Sequence, residues 1–266
     1  YDSYVPAIET VGGTAVFAQL KYPDYAPDWA QVAQLISPKT RMIIINSPHN
    51  PTGSLLTAGD LDQLAALLRG TDIVVLSDEV YEHILFDGEK HASLSGHPAL
   101  AERSIVVSSF GKTYHITGWK IGYVVGPAAL MAEFRKVHQF NVFTVHTPSQ
   151  LALAEYMQDA SRHLGLASFY QEKREFFRNL MADTPFQLLP CRGTYFQLAS
   201  YAGLSDLPDR AFAEWMTREV GVAVIPVSVF NADGRDDQVV RFCFAKKEET
   251  LLMGAERLRK AFVKHC

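Results

Sequence analysis

The sequence predicts an α/β protein, a large layered domain followed by a smaller α+β domain, and three observations carry that prediction. Short apolar, β-branched runs alternate with helix-like segments through the first part of the chain, as in a sheet covered by helices. A stretch from Ser168 to Met181 is long enough for one helix leading into a second domain. From Phe186 the texture changes to short strands around fewer helices. The expected division places residues 1–167 in the large domain and residues 168–266 in the small one.

In order along the chain, Ala15 to Leu20 reads as a strand, and Asp28 to Leu35 as a helix with Asp28 as its N-cap. Arg41 to Asn46 (R-M-I-I-I-N) reads as a buried strand running into the turn-formers S-P-H-N-P-T-G. Thr57 to Arg69 is an amphipathic helix with Leu61, Leu64, Ala65 and Leu68 on one face, stopped by Gly70. Asp72 to Ser77 and Ser104 to Val107 are further apolar strands. Ile121 to Val125 makes another strand and Ala128 to His138 a helix; Thr147-Pro148 then opens a helix with Leu151, Ala154 and Met157 as its stripe. In the second part, strands are expected at Thr194 to Leu198, Val222 to Ile225 and Val239 to Phe244. Helices are expected at Asp209 to Val220 and Glu248 to Val263, the latter burying Leu251, Ala255, Leu258 and Phe262.

Composition narrows the function classes. With 48% hydrophobic and 20% charged residues and a net charge of −4, the chain has an ordinary globular make-up. There is no basic stripe for nucleic acid, and no apolar run approaches the roughly 18 residues of a membrane helix. Cys191, Cys243 and Cys266 are odd in number and far apart, which suits a reduced, cytoplasmic setting. The nine histidines show neither H-x-x-x-H nor a Cys/His cluster, so no metal is expected. The chain begins inside a turn-like segment, Y-D-S-Y-V-P, and an N-terminal part is expected to be missing.

Four places carry chemistry, three of them just past the ends of buried strands, where open α/β sheets gather their sites. Lys112 lies in S-S-F-G-K-T-Y-H-I-T-G-W-K-I-G-Y beside Phe110, Tyr114 and Trp119, with Ser109 before it and Lys120 after. A partly desolvated lysine is a nucleophile toward carbonyls. The G-K-T is not a nucleotide-hydrolase phosphate loop, which needs glycine where Val106 stands. Asp78 and Tyr81, in S-D-E-V-Y, are about one turn apart after an apolar strand; a lone Asp there is also a common helix cap. Asn50, in N-P-T-G, sits in a good turn on propensity alone. Arg241 opens R-F-C-F-A-K-K-E-E-T on an apolar strand and needs an anion if it points inward. Tyr114, Tyr195 and Phe230 are aromatic candidates for a substrate side, or core. His115 reads as a surface or packed histidine.

These segments resemble the fold-type I pyridoxal-phosphate aminotransferases (class I/II). The matches are Y-D-S-Y-x-P-A-I, S-D-E-V-Y-E-H-I, V-S-S-F-G-K-T-Y-H-x-T-G-W-K-x-G-Y and F-A-K-K-E-x-T-L-L. Many relatives carry arginine where this chain has Lys120. Lysine there is similar to the kynurenine, glutamine and bacterial methionine aminotransferase branch.

The resemblance implies a three-layer α/β/α large domain with a mainly parallel sheet, a small C-terminal domain, a homodimer and pyridoxal 5'-phosphate as cofactor. It implies that Lys112 forms the Schiff base and then moves the substrate's proton. Asp78 would pair with the pyridine nitrogen. Tyr81 and Asn50 would bond the ring oxygen, Ser109 and Lys120 the phosphate, and Arg241 the substrate carboxylate. The expected reaction is transamination of methionine and aromatic or other large neutral amino acids with a 2-oxo acid. A C–S β-lyase on the same scaffold, or a ligand-sensing domain of a transcription regulator, are the alternatives.

Overall fold

The computed structural model describes residues 1–262; the expected helix end at Val263, and Cys266, lie outside the described residues. Among the described residues the strands form two four-stranded sheets, and the chain divides into two compact units.

One unit comprises residues 36–49 and 55–169 and holds the first sheet, in the order β1 (Met42–Asn46), β2 (Val74–Asp78), β3 (Ser104–Ser109), β4 (Gly122–Val125). The first three strands are parallel and β4 pairs antiparallel to β3. The expected strands are all present, shifted by at most two residues at their ends. The isoleucines of β1 are only half-buried rather than buried, because β1 is an edge strand here. In β2 and β3 burial alternates, with Val75, Ser77, Ser104, Val106 and Ser108 turned inward. The helix Ala58–Leu67 begins with a capping box: Thr57 accepts from the Asp60 amide and the Asp60 carboxylate accepts back. Leu61 and Leu64 are its buried residues, and Gly70 turns out of the following turn at φ +74°.

One expectation for this unit's helices is corrected, and a second helix lies open. In the helix Thr147–Tyr156 the buried residue is Leu153, whereas Leu151 is 67% exposed. The helix Ala128–Asn141 buries no residue at all, and Val137 and Phe140 on it stand in the open, as does Phe143 just beyond it.

The other unit comprises residues 1–35, 50–54 and 170–266, described to 262. Its sheet is antiparallel, in the order β5 (Gln187–Leu188), β6 (Phe196–Ser200), β8 (Val239–Cys243), β7 (Ile225–Pro226). Residues 1–35, grouped by sequence with the large domain, pack here instead. Tyr25 sits in a core with Leu189, Leu198, Val227 and Val239, and Leu20 packs against it. The Gly53 carbonyl accepts from the Arg192 and Gly193 amides at 2.9 and 3.0 Å, which ties residues 50–54 to the loop before β6.

Ala15 to Leu20 is not a strand. Its Gln19 amide is satisfied by the Gln31 side chain rather than by a ladder. The start is not merely a turn either, since Tyr4–Thr10 is helical. Asp28 caps the helix Trp29–Leu35 as expected, its Oδ1 accepting from the Gln31 amide at 3.1 Å. The helix expected over Asp209 to Val220 is regular to Trp215 and widens to a π-turn over Met216–Val220. The strand expected at Val222 to Ile225 shrinks to β7.

The long helix spans Leu166–Met181, and its buried stripe is Leu166, Tyr170, Arg174, Phe177 and Met181. Phe169 is 45% exposed, and an arginine occupies the centre of the stripe. In the last helix, Glu248–Ala261, the buried residues are Leu251, Ala255 and Leu258, as the periodicity predicts, while Phe262 lies beyond its end and is half-buried.

Candidate functional site

In the parallel-sheet unit, the β-ladder brings the lysine segment and the acidic turn side by side. Asp78 ends β2 opposite Val107 of β3, two residues before Ser109, where β3 ends. The chain then enters a single helical turn, Phe110–Thr113, that carries Lys112. Ser109 caps this turn, its Oγ accepting from the Gly111 amide at 3.1 Å. A Cβ on Gly111 would meet Thr117 Cα at 2.9 Å, so only glycine lets the turn fold this tightly.

Lys112 is half-buried, and its Nζ lies 6.0 Å from the centroid of the Tyr81 ring, which is buried. Asp78 Oδ1 accepts from the Val80 amide at 3.2 Å, and the Asp78 carbonyl accepts from Asn46 Nδ2 at 2.8 Å. The turn holding Asp78 and Tyr81 is thereby fixed to β1. Lys120 is exposed, at the end of the 3-10 turn Thr117–Trp119, with left-handed φ 55° and ψ 42°. His115 is also left-handed and exposed. Left-handed lysine and histidine cost about 1 kcal/mol each, a strain usually tolerated where the loop must present something.

On the inner face of the same strands lies a group that sequence reasoning missed. Glu79 is 1% exposed. Its Oε1 accepts from Ser77 Oγ at 2.9 Å and from the Leu94 amide at 3.1 Å, and its Oε2 lies 2.6 Å from His91 Nε2. Burial would raise its pKa, but the bond and charge of His91 and the other hydrogen bonds outweigh this and hold it below the ordinary carboxylate range.

Glu82 Oε1 accepts from Ser108 Oγ at 2.8 Å and, in a short bond, from the Tyr123 hydroxyl. Burial, with the bond to Glu82, pushes the Tyr123 phenol up to about 12. Glu79, Glu82 and His91 have ligand atoms within 4.8 Å of one another, but hydrogen bonds already engage both carboxylates. A cavity of about 310 Å³ adjoins this face, lined by Glu82, His83, Phe110, Tyr114, Tyr123 and His163 among others. Tyr114 therefore faces this cavity, and Trp119, expected to hem in the lysine, is 45% exposed.

In the antiparallel unit, Arg241 and Asn50 meet although they lie far apart in sequence. Arg241 Nη1 donates to Asn50 Oδ1 at 2.7 Å. The guanidinium carbon stands 4.0 Å from the Phe196 ring centroid and 5.7 Å from that of Phe230. Arg241 therefore points inward from β8, opposite Leu198 on one side and Ile225 on the other. The segment before Phe196 is strained: Thr194 is fully buried at φ +67°, unusual for a β-branched residue, and its Oγ1 accepts from the Phe196 amide. Phe230 ends a 3-10 turn held by Asp209, whose carboxylate accepts from the Ser228 amide at 2.7 Å and hydroxyl at 2.6 Å. Tyr195 stacks near Tyr170 instead, with ring centroids 5.6 Å apart.

The donor set of the first unit is an amine, a carboxylate, a phenol, a hydroxyl and an ammonium at the carboxyl ends of adjacent strands. That chemistry fits a phosphorylated pyridine aldehyde, which needs each of those groups.

Comparison with known proteins points the same way. The family model of aminotransferase class I and II matches residues 1–258. A methionine aminotransferase of Escherichia coli (strain K12) is 49% identical over 261 residues, covering 98% of this chain and 68% of its own. Kynurenine–oxoglutarate transaminase 1 of Rattus norvegicus is 33% identical over 294 residues, covering 98% and 69%. Among solved structures, the one that identifies a methionine aminotransferase function in Escherichia coli superimposes with a TM-score of 0.95 at 49% identity, over 98% of this chain and 69% of that one. The N-succinyldiaminopimelate aminotransferase of Mycobacterium tuberculosis gives 0.89 at 36% identity, over 97% and 68%.

Proposed function

This chain belongs to the class I and II aminotransferases, which use pyridoxal phosphate, and on that premise we propose that it transaminates methionine and other large neutral amino acids with a 2-oxo acid. The observation that carries the reading is the meeting of β2 and β3, which sets the Asp78–Tyr81 turn beside the Ser109–Lys112 turn, with Lys112 Nζ 6.0 Å from the Tyr81 ring. Pyridoxal phosphate, when bound, supplies the electron sink that lets an amino acid's α-carbon give up its proton.

In this reading Lys112 would hold the cofactor through its amine, and the same amine would move the substrate's α-proton. Asp78 would keep the pyridine nitrogen protonated, a task for a carboxylate held in place by a backbone amide. Tyr81 would donate its hydroxyl, and Asn50 its amide, to the ring oxygen. Ser109 and Lys120 would hold the phosphate. Arg241 grips the substrate's α-carboxylate through two parallel hydrogen bonds. Phe196 and Phe230, flanking its guanidinium, suit a thioether or aromatic side chain, and relatives named for methionine and kynurenine support that choice.

A homodimer is proposed as well, supported by the open apolar side chains Val137, Phe140 and Phe143. A cytoplasmic setting is proposed from three cysteines that are few and far apart in the sequence. Among the described residues no helix is long and apolar enough to cross a membrane.

The test is an absorbance spectrum of the full-length protein with and without methionine. The reading expects a visible band that is bleached by methionine and absent in Lys112→Ala. A band that survives in Lys112→Ala and is still trapped by borohydride would overturn it.

A further inference from the structure

The turn that carries Asp78 and Tyr81 reads D-E-V-Y-E, and its second glutamate has no part in the reaction as described. Glu82 follows Tyr81 directly. Its Oε1 accepts from both Ser108 and Tyr123, which face each other across β3 and β4. The next pair in that ladder is Ser109 with Gly122, and from Ser109 the chain enters the helical turn of Lys112. One carboxylate thus joins the turn after β2 to both strands that frame the lysine. The backbone gives Tyr81 less restraint: its carbonyl accepts from the Ile84 amide, and the Glu79 carbonyl from the Glu82 amide, both inside the same turn.

We infer that Glu82, acting through Ser108 and Tyr123, is a positioning residue that fixes the Tyr81 hydroxyl relative to the Lys112 amine. This rests on Lys112 being the cofactor lysine. A carboxylate suits the task because it accepts two hydroxyl bonds at one oxygen and both are charge-assisted, hence short and directional. An amide at the same place presents a weaker acceptor and a competing donor. The other titratable groups facing this carboxylate are His83, 3.9 Å away, together with Glu79 and His91. The bonds of Glu79 and His91 run to Ser77, Ser93, Leu94 and each other, so they fasten the turn without reaching β4, and the His83 ring lies beside that of His163.

The experiment measures, on the full-length holoenzyme, the pH midpoint of the visible band of the lysine-bound cofactor, the dissociation constant of pyridoxal phosphate and the melting temperature. The variants are Glu82→Gln, Tyr123→Phe, Tyr81→Phe and the double variant Tyr81→Phe/Glu82→Gln. If Glu82 sets the position of Tyr81, Glu82→Gln moves the band's midpoint and weakens cofactor binding on the order of tenfold, the worth of a charge-assisted hydrogen bond. Tyr123→Phe shifts the midpoint in the same direction by less, and serves alone if Glu82→Gln does not fold. In the Tyr81→Phe background the effect of Glu82→Gln on the midpoint vanishes, because its target is gone.

A fall in melting temperature with an unmoved midpoint in Glu82→Gln and Tyr123→Phe would make the contact purely structural and overturn the inference. So would equal midpoint shifts from Glu82→Gln with and without the Tyr81 hydroxyl. Failure of the underlying reading looks different: the band would then persist in Lys112→Ala.

Discussion

The two units use their charged side chains differently, and the difference separates scaffolding from proposed site. The parallel-sheet unit buries one anion, Glu79, and half-buries another, Glu82. Both lie under the turn that displays Asp78 and Tyr81, and their oxygens are met by hydroxyls, an amide and an imidazole. The antiparallel unit buries one ion of each sign, Asp209 and Arg174, and half-buries Arg241. Arg174 is 2% exposed, with Nη1 on the Cys191 carbonyl at 2.8 Å and its other nitrogens on Glu175, and Arg241 leans on aromatic rings and Asn50. In the first unit these charges hold the proposed reactive residues from behind. In the second, the half-buried Arg241 is itself the proposed binding group. A buried ion therefore identifies a place where geometry is enforced, and whether it binds anything depends on what else it touches.

That contrast can be broken experimentally, and the largest effect is expected where a carboxylate acts on the cofactor itself. Asp78→Ala should leave cofactor binding measurable yet lower kcat by on the order of 10³-fold; near-normal turnover would remove the electron-sink role. Glu79→Gln should destabilise the fold by about 3 kcal/mol, because it leaves His91 opposite a neutral group in a buried place. The sign of its pH dependence is fixed. The Glu79 pKa is depressed in the fold, so its contribution is present above the ordinary value of 4.5 and is lost as pH falls below it. Urea midpoints of the two proteins, recorded down a pH series, should converge in acid; a gap that widens there would contradict this account.

Arg241→Ala should raise KM for every amino acid by on the order of 100-fold, the loss of a bidentate charge-assisted pair. A loss confined to one side chain would mean that the arginine reads something other than the α-carboxylate. The smallest effect is expected of Arg174→Met, about 2 kcal/mol of stability with KM unchanged. If KM moved as much as in Arg241→Ala, the distinction between holding and binding in this unit would fall.

Much of the frame was legible because local signals agree with it. The apolar runs of β2 and β3 can only be strands, and Asp28 and Thr57 announce their helices by chemistry that needs no tertiary partner. What escaped was decided by distant contacts. Ala15 to Leu20 has the alternation of a strand but finds Gln31 and the core around Tyr25 instead of a neighbouring strand. Arg174 looks like a solvated residue until the Cys191 carbonyl comes within reach.

The proposed site residues were readable one by one as members of their motifs. Their partition was not: Asn50 joining Arg241 in one unit depends on residues 50–54 packing with the loop before β6. The supporting pair Glu79 and Glu82 went unread, although glutamates flanking Tyr81 in D-E-V-Y-E, with serines at Ser77 and Ser108 on the inward faces of their strands, were the signal available.

The closeness of β3 to β4 has a practical side for anyone redesigning this enzyme. A methyl group at position 122 would collide with the carbonyl of Ser108, and one at position 111 with the backbone of Thr117. If Arg241 binds the substrate as proposed, altering which amino acid is accepted is work for the side chains around its guanidinium. The seam below the lysine tolerates no added carbon, and a library that randomised it would consist mostly of proteins unable to seat the amine.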